Sequence, residues 1–183
     1  LHRIHEILLV ASPYDAFILE EDGRLTQQIL YEYLGMNLSY APRVWHAKNA
    51  KTGLQMLVDR SYDLVIVMMR IADMDPITFG EKVKQDFPDK PVILLAFDES
   101  EISTLPQKRL LKTIDRVYIW SGNANVFPAI IKNIEDSMNL DRDHKIADIR
   151  SIVMVEDNPR YYSIILPLIY RTALRHAQSL INR

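Results

Sequence analysis

Short apolar runs alternate with amphipathic stretches along most of this chain, and that alternation constrains the fold more than any other feature. Ile7 to Ala11, Leu64 to Met69 and Val92 to Phe97 contain no charged residue at all. A strand with one wet face alternates polar and apolar side chains, whereas a strand covered on both faces reads as a continuous apolar run. Arg43 to Ala47 and Arg116 to Trp120 are more mixed and complete a set of five strand candidates. Segments of helical length lie between them, which is the pattern of βαβ units around a parallel sheet.

The helix signals are local and specific. Ser12-Pro13-Tyr14-Asp15 supplies an N-cap, a proline at the first helical position and an acid at the third. The helix it opens is expected to run to about Leu34, with Gly23 as its weak point. Asn49 to about Arg60 is the second helix. Asp75-Pro76 caps a third that ends near Phe87, before Pro88. A fourth, poorly patterned, lies within Glu99 to Lys112. The fifth begins near Asn123 to Asn125 and places Ile130, Ile131, Ile134 and Met138 on one face. Five strands and five helices predict a flavodoxin-like, doubly wound parallel sheet in the order 2-1-3-4-5, with helices on both faces. Ligands of such sheets sit at the carboxyl ends of the strands, so the strand-end residues carry the functional information.

The charged segment Asp141-Arg142-Asp143-His144-Lys145 reads as a linker, and after it the opening pattern repeats. Ser151-Ile152-Val153-Met154-Val155-Glu156-Asp157-Asn158-Pro159 matches Ile7 to Pro13 in plan: an apolar run, a short polar turn, then proline. The expected organisation is a body over 1–138, a linker over 139–149, and the first strand and helix of a second unit over 150–183. The last helix should carry Tyr161, Ile164, Ile165, Leu168, Ile169, Thr172, Ala173, Ala177 and Leu180 on one stripe, with a kink or break at Pro167. The strand Ile152 to Val155 and this stripe lack partners, so self-association or folding back onto the body is expected.

Several function classes are excluded or disfavoured early. The absence of cysteine removes disulfides, thiolate metal sites and a cysteine nucleophile. A net charge of -2 argues against nucleic-acid binding. No apolar run is long enough to span a membrane, and the N-terminus lacks the plan of a signal peptide, so a cytoplasmic protein is expected. Leu1 in place of an initiating methionine suggests that the chain starts inside a longer protein. His2, His5, His46, His144 and His176 show no metal-binding spacing, and five glycines build no phosphate-cradling loop.

The stretch Tyr62-Asp63-Leu64-Val65-Ile66-Val67-Met68-Met69-Arg70-Ile71-Ala72-Asp73-Met74-Asp75 resembles the third strand and following loop of the response-regulator receiver domain family, a largely bacterial class. The resemblance covers about Glu6 to Met138. In that family the position of Met68 is an aspartate that accepts a phosphoryl group. Two acids that hold Mg²⁺ stand where this chain has Ala11 and Ser12. A hydroxyl residue ends the fourth strand, here Ala96, and a lysine ends the fifth, where Trp120 is followed by Ser121. A thioether neither forms an acyl phosphate nor ligates Mg²⁺ as a carboxylate does. The resemblance therefore implies a degenerate receiver, a pseudo-receiver, with no catalytic residue, no cofactor and no metal in the first unit. Asp75 reads as a helix cap, not as a substitute acceptor.

In the second unit Glu156 and Asp157 match the family's acidic pair, and they would help to hold Mg²⁺ only in a complete domain. Read this way, the chain is a non-enzymatic signalling module of a two-component or phosphorelay-type protein. It would act through protein partners or self-association, with a homodimer among the options. The rival expectation is a small-molecule-binding or regulatory flavodoxin-like domain of a larger multidomain enzyme. It would use a strand-end pocket formed by Ala11, Ser12, Met68, Ala96 and Ser121.

Overall fold

A computed structural model describes residues 1–22, 24–35, 40–123, 125–147 and 152–181. Five parallel strands form one sheet: β1 (Glu6–Val10), β2 (Arg43–Ala47), β3 (Leu64–Met68), β4 (Val92–Ala96) and β5 (Arg116–Ile119). Their order is β2-β1-β3-β4-β5, the order expected. Register follows the sequence patterns, with Val10 opposite Val67 and Met68 opposite Leu95. The three central strands carry side chains buried on both faces. One face belongs to a core with Leu9, Ile66, Leu95, Tyr118 and Phe127, the other to a core with Val10, Val67, Leu94 and Phe79. This is the two-sided burial that the unbroken apolar runs demanded.

The edge strand β2 is different, because Arg43, Trp45 and His46 face solvent. The guanidinium of Arg60 lies 4.2 Å from the Trp45 ring centroid and pairs with Glu6 at 2.9 Å. Charge and bulk at this edge discourage further strand addition.

The helices follow their caps. α1 (Pro13–Phe17) starts after Ser12, whose Oγ accepts the Asp15 N–H. It does not continue to Leu34 as expected. A π-helical turn (Ile18–Asp22) follows, and then α2 (Leu25–Gly35). Arg24 has φ of 46°, left-handed backbone that a continuous α-helix cannot contain. The carboxylate of Glu20 accepts the Thr26 N–H and so caps the restarted helix. Gly23, the expected weak point, lies outside the described residues.

α3 (Ala50–Asp59) and α4 (Pro76–Asp86) start at the Asn49 and Asp75 caps as expected. The expected fourth helix is two: α5 (Glu99–Ser103) and α6 (Gln107–Thr113). Pro106 separates them, which accounts for the poor pattern across that stretch.

The C-terminal region corrects the sequence reading more substantially. α7 (Val126–Ala147) runs through residues 139–147, which were expected to form a linker. Ile130, Ile131 and Ile134 are buried on it, but Met138 is half-exposed. Residues 152–155 form no strand; Ile152, Val153 and Val155 are exposed and unpaired. Ser151, which opens the repeated wording, lies outside the described residues. A lone apolar run has no ladder to join unless a sheet edge is offered to it. α8 (Pro159–Ile181) follows and passes through Pro167 without ending. It folds back onto the body, yet not through the stripe expected. Tyr162, Ser163 and Leu166 are buried, while Tyr161, Ile164, Ile165 and Leu168 are 57, 46, 39 and 55% exposed.

Candidate functional site

The carboxyl ends of β1, β3 and β4 bring three of the expected positions into the interior. Ala11, Met68 and Ala96 are each at most 1% exposed. Ser12 is half-buried, and Ser121, beyond the end of β5, is exposed. The backbone around them is fully engaged. Ala11 N–H donates to the Ala47 carbonyl at 3.1 Å, Ser12 N–H to the Arg70 carbonyl at 3.2 Å, and Trp120 N–H to the Ala96 carbonyl at 2.9 Å. His46 Nε2–H donates to the Ala11 carbonyl at 2.8 Å. The Met68 side chain lies in the same apolar cluster as Ala11, Leu95 and Trp120. The Trp120 ring meets Phe97 edge-on with centroids 5.6 Å apart. A flexible thioether suits such an irregular gap.

Mg²⁺ requires oxygen ligands, usually carboxylates. Methyl groups at Ala11 and Ala96 and a sealed thioether at Met68 supply none, so the first unit's donor set does not fit the ion. Among the described residues no group of three or more histidine or acidic side chains is gathered that could hold a metal. Nor do Ala11, Met68 and Ala96, sealed as they are, give a small molecule an entrance.

Three of the nearby acids, Asp73, Asp75 and Glu156, are capping groups. Asp73 accepts the Ala50 and Lys51 N–H groups at 2.8 and 2.9 Å, which fastens the β3–α4 loop to the start of α3. Those backbone bonds, Lys51 first, hold its carboxyl below the usual range. Asp75 accepts from the Thr78 N–H at 2.9 Å and caps α4, as expected. Glu156 accepts the Asn158 N–H at 2.9 Å ahead of α8. Asp157 is exposed and lines an open cleft of about 370 Å³ with Glu99, Gln107 and Pro159.

One arrangement at this end of the sheet was not foreseen. Arg70 Nη2 pairs with Glu101 Oε1 at 3.1 Å, and Glu101 Oε2 accepts the Phe97 N–H at 3.0 Å. The Arg70 carbonyl meanwhile accepts from Ser12. One arginine thereby ties together the loops that follow β1, β3 and β4. Asp15 stands beside it, 1% exposed, with Oδ1 lacking any hydrogen-bond partner. Burial raises the Asp15 carboxyl above its ordinary value; Arg70 and the Ser12 hydroxyl pull the other way, and Glu101 adds to the rise. Sequence distance hid this cluster. Arg70 and Glu101 are 31 residues apart, and Asp15 looks complete as the third residue of a capping pair.

A raised carboxyl fixes the sign of a pH effect. The folded state holds the Asp15 proton more tightly than the unfolded chain, so stability from this residue falls as pH rises through the folded value. Asp15→Asn is therefore expected to be more stable than the parent at pH 7. That advantage should shrink towards pH 4, near the ordinary aspartate value. Urea unfolding of both proteins at the two pH values measures it. Equal differences at both would show that burial does not raise this carboxyl above its ordinary value.

No protein-family model matches the sequence, and no curated protein matches it at a significant level. Solved structures do match. The signal receiver domain of an HD domain-containing protein from Pseudomonas fluorescens is 24% identical, with a TM-score of 0.56 over 78% of this chain and 95% of that one. The signal receiver domain of a signal transduction histidine kinase from Syntrophus aciditrophicus is 22% identical, with a TM-score of 0.53 over 83% and 99%. A response regulator from Thermotoga maritima, solved in complex with Mg²⁺ and BeF, is 17% identical, with a TM-score of 0.54 over 73% and 98%. The class defined is that of the receiver fold, a five-stranded parallel sheet in the order 2-1-3-4-5. At these identities the likeness concerns the fold, and function must be argued from the strand-end residues.

Proposed function

We propose that this chain is a non-phosphorylatable receiver-like module of a two-component or phosphorelay-type signalling protein, working through protein–protein contact and not as an enzyme. One observation carries the reading: Met68 ends β3 at 1% exposure, where the resemblance calls for the phosphoacceptor. Ala11 and Ser12 stand in place of the metal-holding acids. The Arg70–Glu101 pair is compatible with it, because it links the strand-end loops without any transferable group. We further read residues 150–183 as the opening of a second unit, on the wording of Val155-Glu156-Asp157-Asn158-Pro159, although residues 152–155 form no strand here. Among the described residues no helix is long and apolar enough to cross a membrane; a cytoplasmic setting is what the signalling reading implies.

Beryllofluoride with Mg²⁺ mimics an aspartyl phosphate and tests the proposal. A ligand of the native state raises the melting temperature by mass action, by the equivalent of about 2.7 kcal/mol at a hundredfold excess over Kd. The expected result is no shift at any concentration. A saturable rise that needs both Mg²⁺ and beryllofluoride would mean that an acid of this chain is a working acceptor, and the reading would fall.

A further inference from the structure

β5 is an edge strand, and an edge leaves backbone donors without a ladder partner. In this chain one such donor is satisfied by a side chain from outside the sheet. Ser163 Oγ accepts the Ile119 N–H at 2.8 Å in a buried bond and itself donates to the Pro159 carbonyl at 2.6 Å. Around it three further residues of α8 make defined contacts. The Tyr162 ring packs on Tyr118 with centroids 5.7 Å apart, and the Arg116 guanidinium lies 5.9 Å from the Tyr162 ring centroid. Leu166 is 4% exposed and joins the core shared with α7. Tyr170 OH donates to Asp136 Oδ2 at 2.6 Å, on α7.

We infer that β5 and α7 together form a docking surface for an amphipathic helix, and that α8 of this chain is its resident. The helix it accepts presents a tyrosine, a hydroxyl at the next residue, a leucine four residues on from that tyrosine and a second tyrosine eight on. Those offsets share one helical face. The hydroxyl gives the surface its selectivity, because without it the Ile119 N–H is buried and unpaired. A second observation points to exchange. α8 also carries Tyr161, Ile164, Ile165 and Leu168, all exposed. The first half of α8, from Tyr161 to Ile169, thus carries a second apolar stripe beside the docked one, and such a stripe suits burial against a further partner. Docked α8 buries one stripe and leaves the other in solvent, so it blocks the β5–α7 surface to any other protein until it leaves. The inference uses the interaction-module reading only for its biological purpose, and its test involves neither Mg²⁺ nor beryllofluoride.

The Ile119 amide is the reporter, followed by hydrogen exchange in the full chain. Parent protein should protect it. Ser163→Ala should speed its exchange about five- to tenfold, the value of one hydrogen bond, while the Leu95 amide in β4 stays unchanged. Leu166→Asp should release α8 and speed Ile119 exchange about a hundredfold or more, with the Leu95 amide still protected. A labelled peptide of residues 157–175 should then bind the Leu166→Asp chain and not the parent, and a peptide carrying Ser163→Ala should bind about five- to tenfold more weakly. An unprotected Ile119 amide in the parent would overturn the inference. So would an Ile119 rate unmoved by both substitutions, or equal peptide binding to parent and variant. A parent dimer with α8 seated on the other copy would overturn the residence in cis.

Discussion

Met68→Asp is expected to cost about 3–5 kcal/mol of unfolding free energy at pH 7, the penalty for a buried charge with no counter-charge. The substitution restores the residue that the resemblance assigns to this position, and it should still fail to restore a response to Mg²⁺ and beryllofluoride. Met68 is 1% exposed in an apolar cluster with Ala11, Leu95 and Trp120. A carboxylate there would exchange water for methyl groups, and the acids that would share a cation with it are absent. Burial would instead raise its pKa. The folded state would then bind a proton more tightly than the unfolded chain, so the cost should lessen as pH falls towards 4. Met68→Leu, which roughly conserves volume, should cost less than about 1.5 kcal/mol. Denaturant titrations at two pH values separate the cases. An aspartate variant within about 1 kcal/mol of the parent at pH 7 would mean that the strand-end region admits water, and the sealed reading would be wrong.

The strands were legible because their burial is two-sided and therefore local in the sequence. Arg43–Ala47 was read to the residue, β3, β4 and β5 to within one residue at their ends, and β1 one residue too late at both ends. Helix starts were legible for a similar reason: Ser12, Asn49 and Asp75 each accept a backbone N–H three residues on. What failed depended on partners distant in sequence. A charged run at Asp141 to Lys145 reads as a linker, yet it is also a good outer turn for a helix whose inner face is already docked through Ile130 and Ile134. Apolar periodicity in 159–181 does not reveal which of two stripes will face β5, because both are apolar. The deciding group is Ser163, a polar residue that a hydrophobic pattern passes over. The strand-end positions were identified by family wording, which cannot show that Arg70 and Glu101 tie the neighbouring loops together.

Removing the Tyr118 side chain is expected to give the second large effect, about 3–5 kcal/mol for Tyr118→Ala by analogy with other buried aromatics. Tyr118 is fully buried on β5, with its ring against Tyr162 and its OH donating to Asn133 Oδ1 at 3.0 Å. The loss would therefore combine a cavity, the loss of the shorter of two hydrogen bonds to Asn133 Oδ1 and a weakened seat for α8. Tyr118→Phe isolates the hydroxyl and should cost only about 1 kcal/mol. The two variants differ again at high pH. Burial pushes the Tyr118 phenol well above its ordinary value, with Tyr162 adding to the rise. The unfolded chain thus gives up this proton near pH 10 while the folded chain keeps it, so stability falls as pH climbs past that point. Tyr118→Phe removes this contribution and should show a shallower alkaline loss than the parent between pH 9 and about 11. Urea midpoints across that interval provide the measurement. Parallel curves for parent and phenylalanine variant would mean that the phenol ionises as readily in the folded protein as in the unfolded chain. The β5–α7 contact would then have to be wetter than its geometry implies.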